Sequence, residues 1–148
     1  KNMRHCIEEF LSTTEEKDVV EAIRIAEKNT SGEIRVHLEN TSKGAIENRA
    51  LEVFSILKMH NTRLHNGVLI YVAVQDKAFA IFGDKGINKL VAADFWANTK
   101  TVIENHFKSG DYKEGLVDGI LHAGEQLKKH FPYSDLDQNE LDNEISKS

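Results

Sequence analysis

The run VLIYVAV, residues 68–74, constrains the fold of this chain more than any other stretch. It is apolar or aromatic at every position, so a strand formed here has no face suited to water. Such a strand belongs in the middle of a sheet that is covered by helices on both sides. The run has the length of a strand and falls far short of the roughly 18 apolar residues of a membrane span. We therefore expect an α/β fold without a transmembrane segment.

A second strand is predicted by strict alternation over EIRVHLE, residues 33–39. One face carries Ile34, Val36 and Leu38, and the other carries Glu33, Arg35, His37 and Glu39. This pattern indicates one side against the core and one side that is wet or partly covered. A helical pattern with Ile46, Ala50, Val53 and Leu57 on one stripe separates the two strands. The strand-helix-strand unit predicts a right-handed crossover and a parallel pair.

The rest of the pattern completes the architecture. Gln75-Asp76-Lys77 is short enough for a hairpin, so AFAIF (78–82) should return antiparallel to the central strand. A capping box at Ser12 and Glu15 begins a helix predicted at 13–29. Two more helices are predicted at 92–108 and 111–130. We expect a three-layer α/β/α sandwich with a small mixed sheet, built on a right-handed βαβ unit plus an antiparallel hairpin strand.

The length of 148 residues suits one domain, 1–148, with a core from about 12 to 132 and an acidic tail over 133–148. The tail holds five acids against one lysine, so most of the net charge of −5 lies there. It is either a solvated end or a segment that packs back through Leu136, Leu141 and Ile145. No basic patch points to nucleic acid, so that class of partner is set aside.

The cysteine content and the first residues of the chain bear on cellular location. The single cysteine, Cys6, excludes an internal disulfide and fits a reducing compartment. The first ten residues lack the apolar stretch of a signal peptide. We therefore expect a cytoplasmic protein and a monomer.

The predicted topology brings three glycine-bearing turns to one edge of the sheet: 31–33, 66–67 and 83–86. Ca²⁺ takes about six to eight oxygen ligands from carboxylates, amides and carbonyls. Glu33, Asp84, Asp94 and Asn66, with turn carbonyls at Gly86, are the candidate ligands, and Mg²⁺ is the second candidate ion. Glycine allows positive φ and lets carbonyls turn inward.

Other interpretations stay open at this point. Asn66-Gly67 and Gly83-Asp84 are common turn dipeptides, and Asp94 suits a helix N-terminus. The segment GDKGINK has neither the oxygen pattern of an EF-hand nor the ending of a P-loop. The seven histidines form no HExxH motif, and no GxSxG elbow is present.

Five segments together resemble the TPM domain family, a name that joins thylakoid-lumen proteins, a photosystem II repair factor and a modulator of acetylcholine receptors. The segments are SGEIRVHLE, HNGVLIYVAVQDKAFAIFGDKGIN, DFW, FKSGDYKEGLVDGI and FPYSDLDQNELDNEIS. The chain looks most like the short, stand-alone bacterial branch of that family. The resemblance implies a helix-sheet-helix sandwich, divalent metal (chiefly calcium) at an acidic loop site, and acid phosphatase activity in some members. Carried onto this sequence, the acidic site falls on Asp84 and Asp94, with Glu33 and Asn66 beside them.

Three hypotheses about function follow. The first is a calcium-binding module whose ion orders the loops at the sheet edge and so serves binding or regulation. The second is a metal-dependent phosphoesterase, in which Asp84 and Asp94 hold the ion while Lys85 or Arg35 contacts phosphate. The third is a metal-free interaction domain whose surface is the acidic tail. The expected partners are thus a divalent metal and an unidentified protein.

Overall fold

The computed structural model describes residues 3–133 and 139–148. Within them the chain forms six helices and four strands, with a 3-10 turn at Val74–Asp76. In order these are α1 (Met3–Phe10), α2 (Thr13–Glu27), β1 (Glu33–Glu39), α3 (Ile46–Ile56), β2 (Gly67–Ala73), β3 (Ala78–Gly83), α4 (Lys85–Asn88), α5 (Ala97–Lys108), α6 (Tyr112–Lys128) and β4 (Ser146–Lys147). In the described part of the chain, no helix is long and apolar enough to cross a bilayer.

The sheet has the strand order β3-β2-β1-β4. The central pair β1 and β2 is parallel, with Glu33 opposite Gly67 and Glu39 opposite Ala73. β3 returns antiparallel to β2, and β4 adds a short parallel strand on the outer edge of β1. All seven residues of β2 are buried, because helices cover both faces as the apolar run predicts. The predicted α/β sandwich with a mixed sheet is confirmed.

Two hydrophobic clusters fill the layers on either side of the sheet. The larger one joins Ile34, Val36 and Leu38 of β1 to α2, α5 and α6. The smaller one joins Leu69 and Tyr71 of β2 to α3. The alternation of apolar side chains in β1 thus points to the three-helix layer, and its polar face points to α3.

The polar face of β1 is more deeply covered than its sequence predicts. Glu33, His37 and Glu39 are buried, whereas a wet or partly covered face was expected. The reason is the C-terminal segment: its residues 139–148 lie against the body of the domain, and Leu141 and Ile145 pack on the two hydrophobic clusters. Of the two alternatives for the tail, packing is the one that the described part adopts. Leu136 lies outside the described residues.

The bounds of several elements differ from the sequence-based expectations. α1 was not predicted, and its residues Ile7 and Phe10 join the main cluster, so packing begins before residue 12. The helix predicted from 92 begins at Ala97, because the preceding residues make turns that bury Trp96 beside Gly83. The short helix α4 occupies part of the expected glycine turn.

Candidate metal site at the sheet edge

Three backbone segments meet at the edge of the sheet where β1 and β2 begin and β3 ends. Glu33 pairs with Gly67 in the parallel ladder, and the Asp84 N–H donates to the Gly67 carbonyl at 2.9 Å. The Glu33 N–H donates to the Asn66 carbonyl at 3.3 Å. The turns that the sequence places at one edge therefore do lie side by side.

Asp84 is the acid most firmly built into this edge. It is the N-cap of α4, and its Oδ1 accepts a hydrogen bond of 2.7 Å from the Lys85 N–H. The residue is 7 % exposed, and its buried Oδ2 accepts no hydrogen bond from the described residues. The Nδ1 atom of His65 lies 3.6 Å from Oδ2 and likewise makes no hydrogen bond within the described part of the chain. Asp84 therefore offers one carboxylate oxygen that faces the His65 ring and could bind a cation.

Gly86 is fixed by the close approach of two chain segments. Its N–H donates to the His65 carbonyl at 2.8 Å. A Cβ at this position would lie far inside van der Waals contact with the carbonyl oxygens of Leu64 and His65. Glycine is required here to let the first turn of α4 sit on the loop before β2.

Asn66 supplies a second unused oxygen. The residue is 1 % exposed, and its backbone N–H donates to the Thr62 hydroxyl at 3.2 Å. Its side-chain Nδ2 donates to the Ser31 hydroxyl at 3.4 Å, while the buried Oδ1 has no hydrogen-bond partner in the part of the chain that the structure describes. An unpartnered buried oxygen costs about 1–3 kcal/mol. The edge thus contains two such oxygens, one anionic and one neutral.

Glu33 is engaged by the C-terminal segment. Its Oε1 accepts hydrogen bonds from the backbone N–H groups of Glu140 (3.1 Å) and Leu141 (2.9 Å). Nearby, burial raises the pKa of the Glu27 carboxyl to about 8, and the charge of Glu33 adds to that shift against a hydrogen bond from the Ile34 N–H. With that pKa, the Glu27 carboxyl is mostly protonated and uncharged at neutral pH.

Asp94 differs from the other candidate side-chain ligands because it is not buried. It is exposed in the turn before α5, where its carbonyl accepts a hydrogen bond of 2.9 Å from the Ala97 N–H. Among residues 3–133 and 139–148, no three His, Cys, Asp or Glu side chains gather in an arrangement that holds a metal. A cation here would have to be bound largely by amide and carbonyl oxygens around Asp84. The roles of Glu33 and Asp94 as ligands stay predictions.

The sequence reading missed His65 as a partner of Asp84. Its only sequence signal is its position directly before Asn66-Gly67, the turn that leads into the buried strand. The structure gives it a left-handed backbone, φ 49°, which turns the loop toward α4. Spacing alone could not show this contact, because 18 residues and two strands lie between His65 and Asp84.

A second buried polar cluster occupies the other end of β1. The Glu39 carboxylate accepts hydrogen bonds from Arg49, Tyr71 and Ser148. Burial alone would raise the pKa of Glu39, but these bonds outweigh burial and lower the pKa to about 2. Burial lowers the pKa of His37 to about 4; Glu39 opposes that shift, while Arg49 and Arg35 add to it.

Comparison with known proteins identifies the relatives of this chain. The sequence profile of the TPM domain matches residues 7–126. The solution structure of the BA42 protein from the psychrophilic bacterium Bizionia argentinensis is 60 % identical, covers 96 % of this chain and 98 % of its own, and superimposes with a TM-score of 0.90. The N-terminal domain of a P. gingivalis protein is 20 % identical with a TM-score of 0.68, over 82 % of this chain and 79 % of its own, which shows a shared fold. No curated protein matches the chain.

Proposed function

The chain belongs to the TPM domain family, and from that premise we propose that it binds a divalent cation, calcium in the first place, at the sheet edge beside Asp84 and Asn66. The ion orders the loops that meet there, as a binding or regulatory module requires. Magnesium is the second candidate, since the same oxygens are hard ligands for either ion.

One observation carries this proposal: Asp84 Oδ2 and Asn66 Oδ1 are buried oxygens on adjoining segments, and neither has a hydrogen-bond partner among residues 3–133 and 139–148. A cation that accepts both oxygens as ligands would remove the cost of leaving them unpaired. The donor set fits a hard cation, because a carboxylate, an amide oxygen and nearby carbonyls are the usual ligands of Ca²⁺. With the cation bound, the Asp84 carboxylate is neutralised by the ion and does not depend on the His65 ring, whose Nδ1 lies 3.6 Å from Oδ2.

The donor set also predicts the strength of binding. Asp84 is the one buried carboxylate with an unused oxygen at this edge among the described residues. Affinity for calcium rises with the number of charged ligands, so a site with a single such carboxylate should bind with a Kd on the order of 10⁻⁴–10⁻³ M. Recruitment of the predicted ligands Glu33 or Asp94 would tighten it.

The phosphoesterase hypothesis uses the same ion and is kept as an alternative. A bound cation polarises a phosphoryl oxygen and lowers the pKa of bound water. Lys85 is exposed in the first turn of α4, next to Asp84. Arg35 lies on the same face of β1 as Glu33, and its buried Nε makes no hydrogen bond to any described residue. These cations are what favours phosphate as a substrate group.

The experiment compares Asp84→Asn with Asp76→Asn, a matched control at the exposed turn that begins the β3 hairpin. Each full-length protein is treated with chelator and then titrated with CaCl₂ or MgCl₂ while its melting temperature is recorded. The proposal predicts a rise in Tm for the wild type and for Asp76→Asn and none for Asp84→Asn. Equal rises in all three proteins would contradict it.

The same variants decide the alternative. Release of phosphate from an aryl phosphate, dependent on the added cation and lost in Asp84→Asn, supports the phosphoesterase. Cation binding without phosphate release supports the binding module and rejects the phosphoesterase. Release that persists in Asp84→Asn after chelation rejects the phosphoesterase as described.

A further inference from the structure

The C-terminal residues lie along the outer edge of β1, at the end of the strand opposite the proposed cation site. Ser146 and Lys147 form β4 and pair in parallel with His37 and Leu38. The Ser148 N–H continues the ladder by donating to the Leu38 carbonyl at 3.1 Å. The backbone part of this contact is thus confined to a few hydrogen bonds.

The side chains of the same three residues also contact the body of the domain. The hydroxyls of Ser146 and Ser148 lie 2.9 Å and 2.8 Å from the two ring nitrogens of His37. The Lys147 ammonium, between them in sequence, pairs with the Glu16 carboxylate of α2 at 2.8 Å. Successive side chains of a strand point to opposite faces, so the two serines meet the α3 face and the lysine meets α2.

The direction of the hydrogen bonds around His37 is fixed by Glu39. The Ser148 hydroxyl donates to Glu39 Oε1 at 2.6 Å, and a carboxylate only accepts. The Ser148 oxygen must therefore accept the proton of His37 Nε2, which leaves Nδ1 to accept from the Ser146 hydroxyl. The chain of bonds runs in one direction, Ser146 to His37 to Ser148 to Glu39.

This geometry makes the contact selective for residue type. His37 and Glu39 are 3 % and 6 % exposed, so a residue without a hydroxyl at either serine position would leave buried polar atoms unpaired. The Glu16 carboxylate, on the opposite face, favours a basic residue at the middle position.

We infer that the outer edge of β1 is a peptide-binding site for an extended segment of the type hydroxyl–basic–hydroxyl, which residues 146–148 occupy as an intramolecular ligand and which a partner protein's segment of the same chemistry takes in trans. The partner's segment adds a strand to the sheet. His37 and Glu39 select the two hydroxyl residues, and Glu16 selects the basic one. Charge complementarity favours this occupant: the acceptors on the body, Glu16 and Glu39, match a lysine and hydroxyl donors.

The tethered segment competes with any partner. A short tether gives an intramolecular ligand an effective concentration in the millimolar range. A partner peptide therefore gains access when the cis contact is weakened, and the experiment uses a full-length chain in which only that contact is altered.

The test uses the isotope-labelled full-length double variant Ser146→Ala/Ser148→Ala and blocked peptides added in trans. The first peptide is NEISKS, the sequence of residues 143–148, and the control is NEIAKA. We expect NEISKS to shift the His37 ring resonances of the double variant saturably and to bind about tenfold or more tightly than NEIAKA, as two hydrogen bonds to buried groups imply. Equal binding of the two peptides, or no saturable shift with either, would overturn the inference.

A second variant keeps the test independent of the serines. Glu16→Lys changes a partly exposed side chain on α2 and repels the chain's own Lys147. This variant should bind the peptide NEISES in preference to NEISKS, whereas the double variant Ser146→Ala/Ser148→Ala, which keeps Glu16, should show the reverse order. If Glu16→Lys still binds NEISKS more tightly than NEISES, Glu16 does not select the basic residue, which contradicts the proposal. Dimers that form without peptide and alter the His37 shifts would show that a second copy is the occupant, which also overturns the proposal.

Discussion

Arg49 and Glu39 form a two-pronged ion pair that ties the first turns of α3 to the end of β1. The Arg49 Nε lies 2.8 Å from Glu39 Oε2, and its Nη2 lies 2.6 Å from Oε1. The Glu39 side chain is 8 % exposed, whereas that of Arg49 is 28 % exposed. The pair anchors the network in which Tyr71, His37 and Ser148 also take part.

Arg49→Met should destabilise the fold by about 3 kcal/mol, because it leaves the buried Glu39 carboxylate without its cation. Chemical denaturation at neutral pH measures the change. Glu52→Gln is the matched control: Glu52 also faces Arg49, at 3.8 Å, but its side chain is 66 % exposed. An exposed pair is worth less than about 1 kcal/mol. A similar loss in both variants would contradict the assigned role of the Arg49–Glu39 pair.

His37 should titrate far below an ordinary histidine. Burial lowers its pKa to about 4 in the folded state, whereas an unfolded histidine titrates near 6.5. Between these values the unfolded chain binds more protons, so the His37 contribution to stability is complete above pH 6.5 and is lost as the pH falls toward 4. The imidazole shifts of His37, followed by NMR from pH 8 to 4, should stay flat above pH 5.5.

The variant His37→Gln isolates this contribution from other titrating groups. The difference in unfolding free energy between the wild type and the variant should shrink as the pH falls from 6.5 to 4. A difference that stays constant over this range, or a His37 midpoint near 6.5, would show that the ring is not buried as described.

Gly86→Ala should destabilise the domain by more than about 2 kcal/mol, since the new Cβ meets two backbone carbonyls that cannot move aside without shifting the loop before β2. Gly44→Ala is the control, because no atom of the described residues lies within 4 Å of a Cβ placed there. We expect its effect to stay within about 0.5 kcal/mol. Thermal denaturation of the two variants measures both effects. Equal losses of stability would contradict the close approach at Gly86.

The sheet was predictable because its strands carry strong local patterns. The continuous apolar run of β2 predicts cover on both of its faces, the alternation of β1 shows which of its faces meets the main cluster, and the hairpin loop fixes the direction of β3. The strand β4 could not be predicted, since its residues Ser146 and Lys147 have no strand pattern of their own. They pair with β1 through contacts to His37, Leu38 and Glu16 that are more than 100 residues away in sequence.

The candidate site was predictable only at the level of the backbone. Sheet topology places Glu33, Asn66 and Asp84 at one edge, and the structure agrees. Which oxygens are already engaged is decided by tertiary contacts: the amides of Glu140 and Leu141 bind Glu33, and His65 faces Asp84. No local pattern in the sequence encodes these contacts.

The most direct test of cation binding is a calcium titration of chelator-treated, isotope-labelled wild-type protein followed by backbone amide NMR. The account predicts saturable shifts centred on 65–67 and 83–86, with a midpoint on the order of 10⁻⁴–10⁻³ M, and their loss in Asp84→Asn. Absence of saturable shifts up to about 10 mM calcium, well above that range, or shifts confined to the acidic residues 139–144, would contradict a cation site at Asp84.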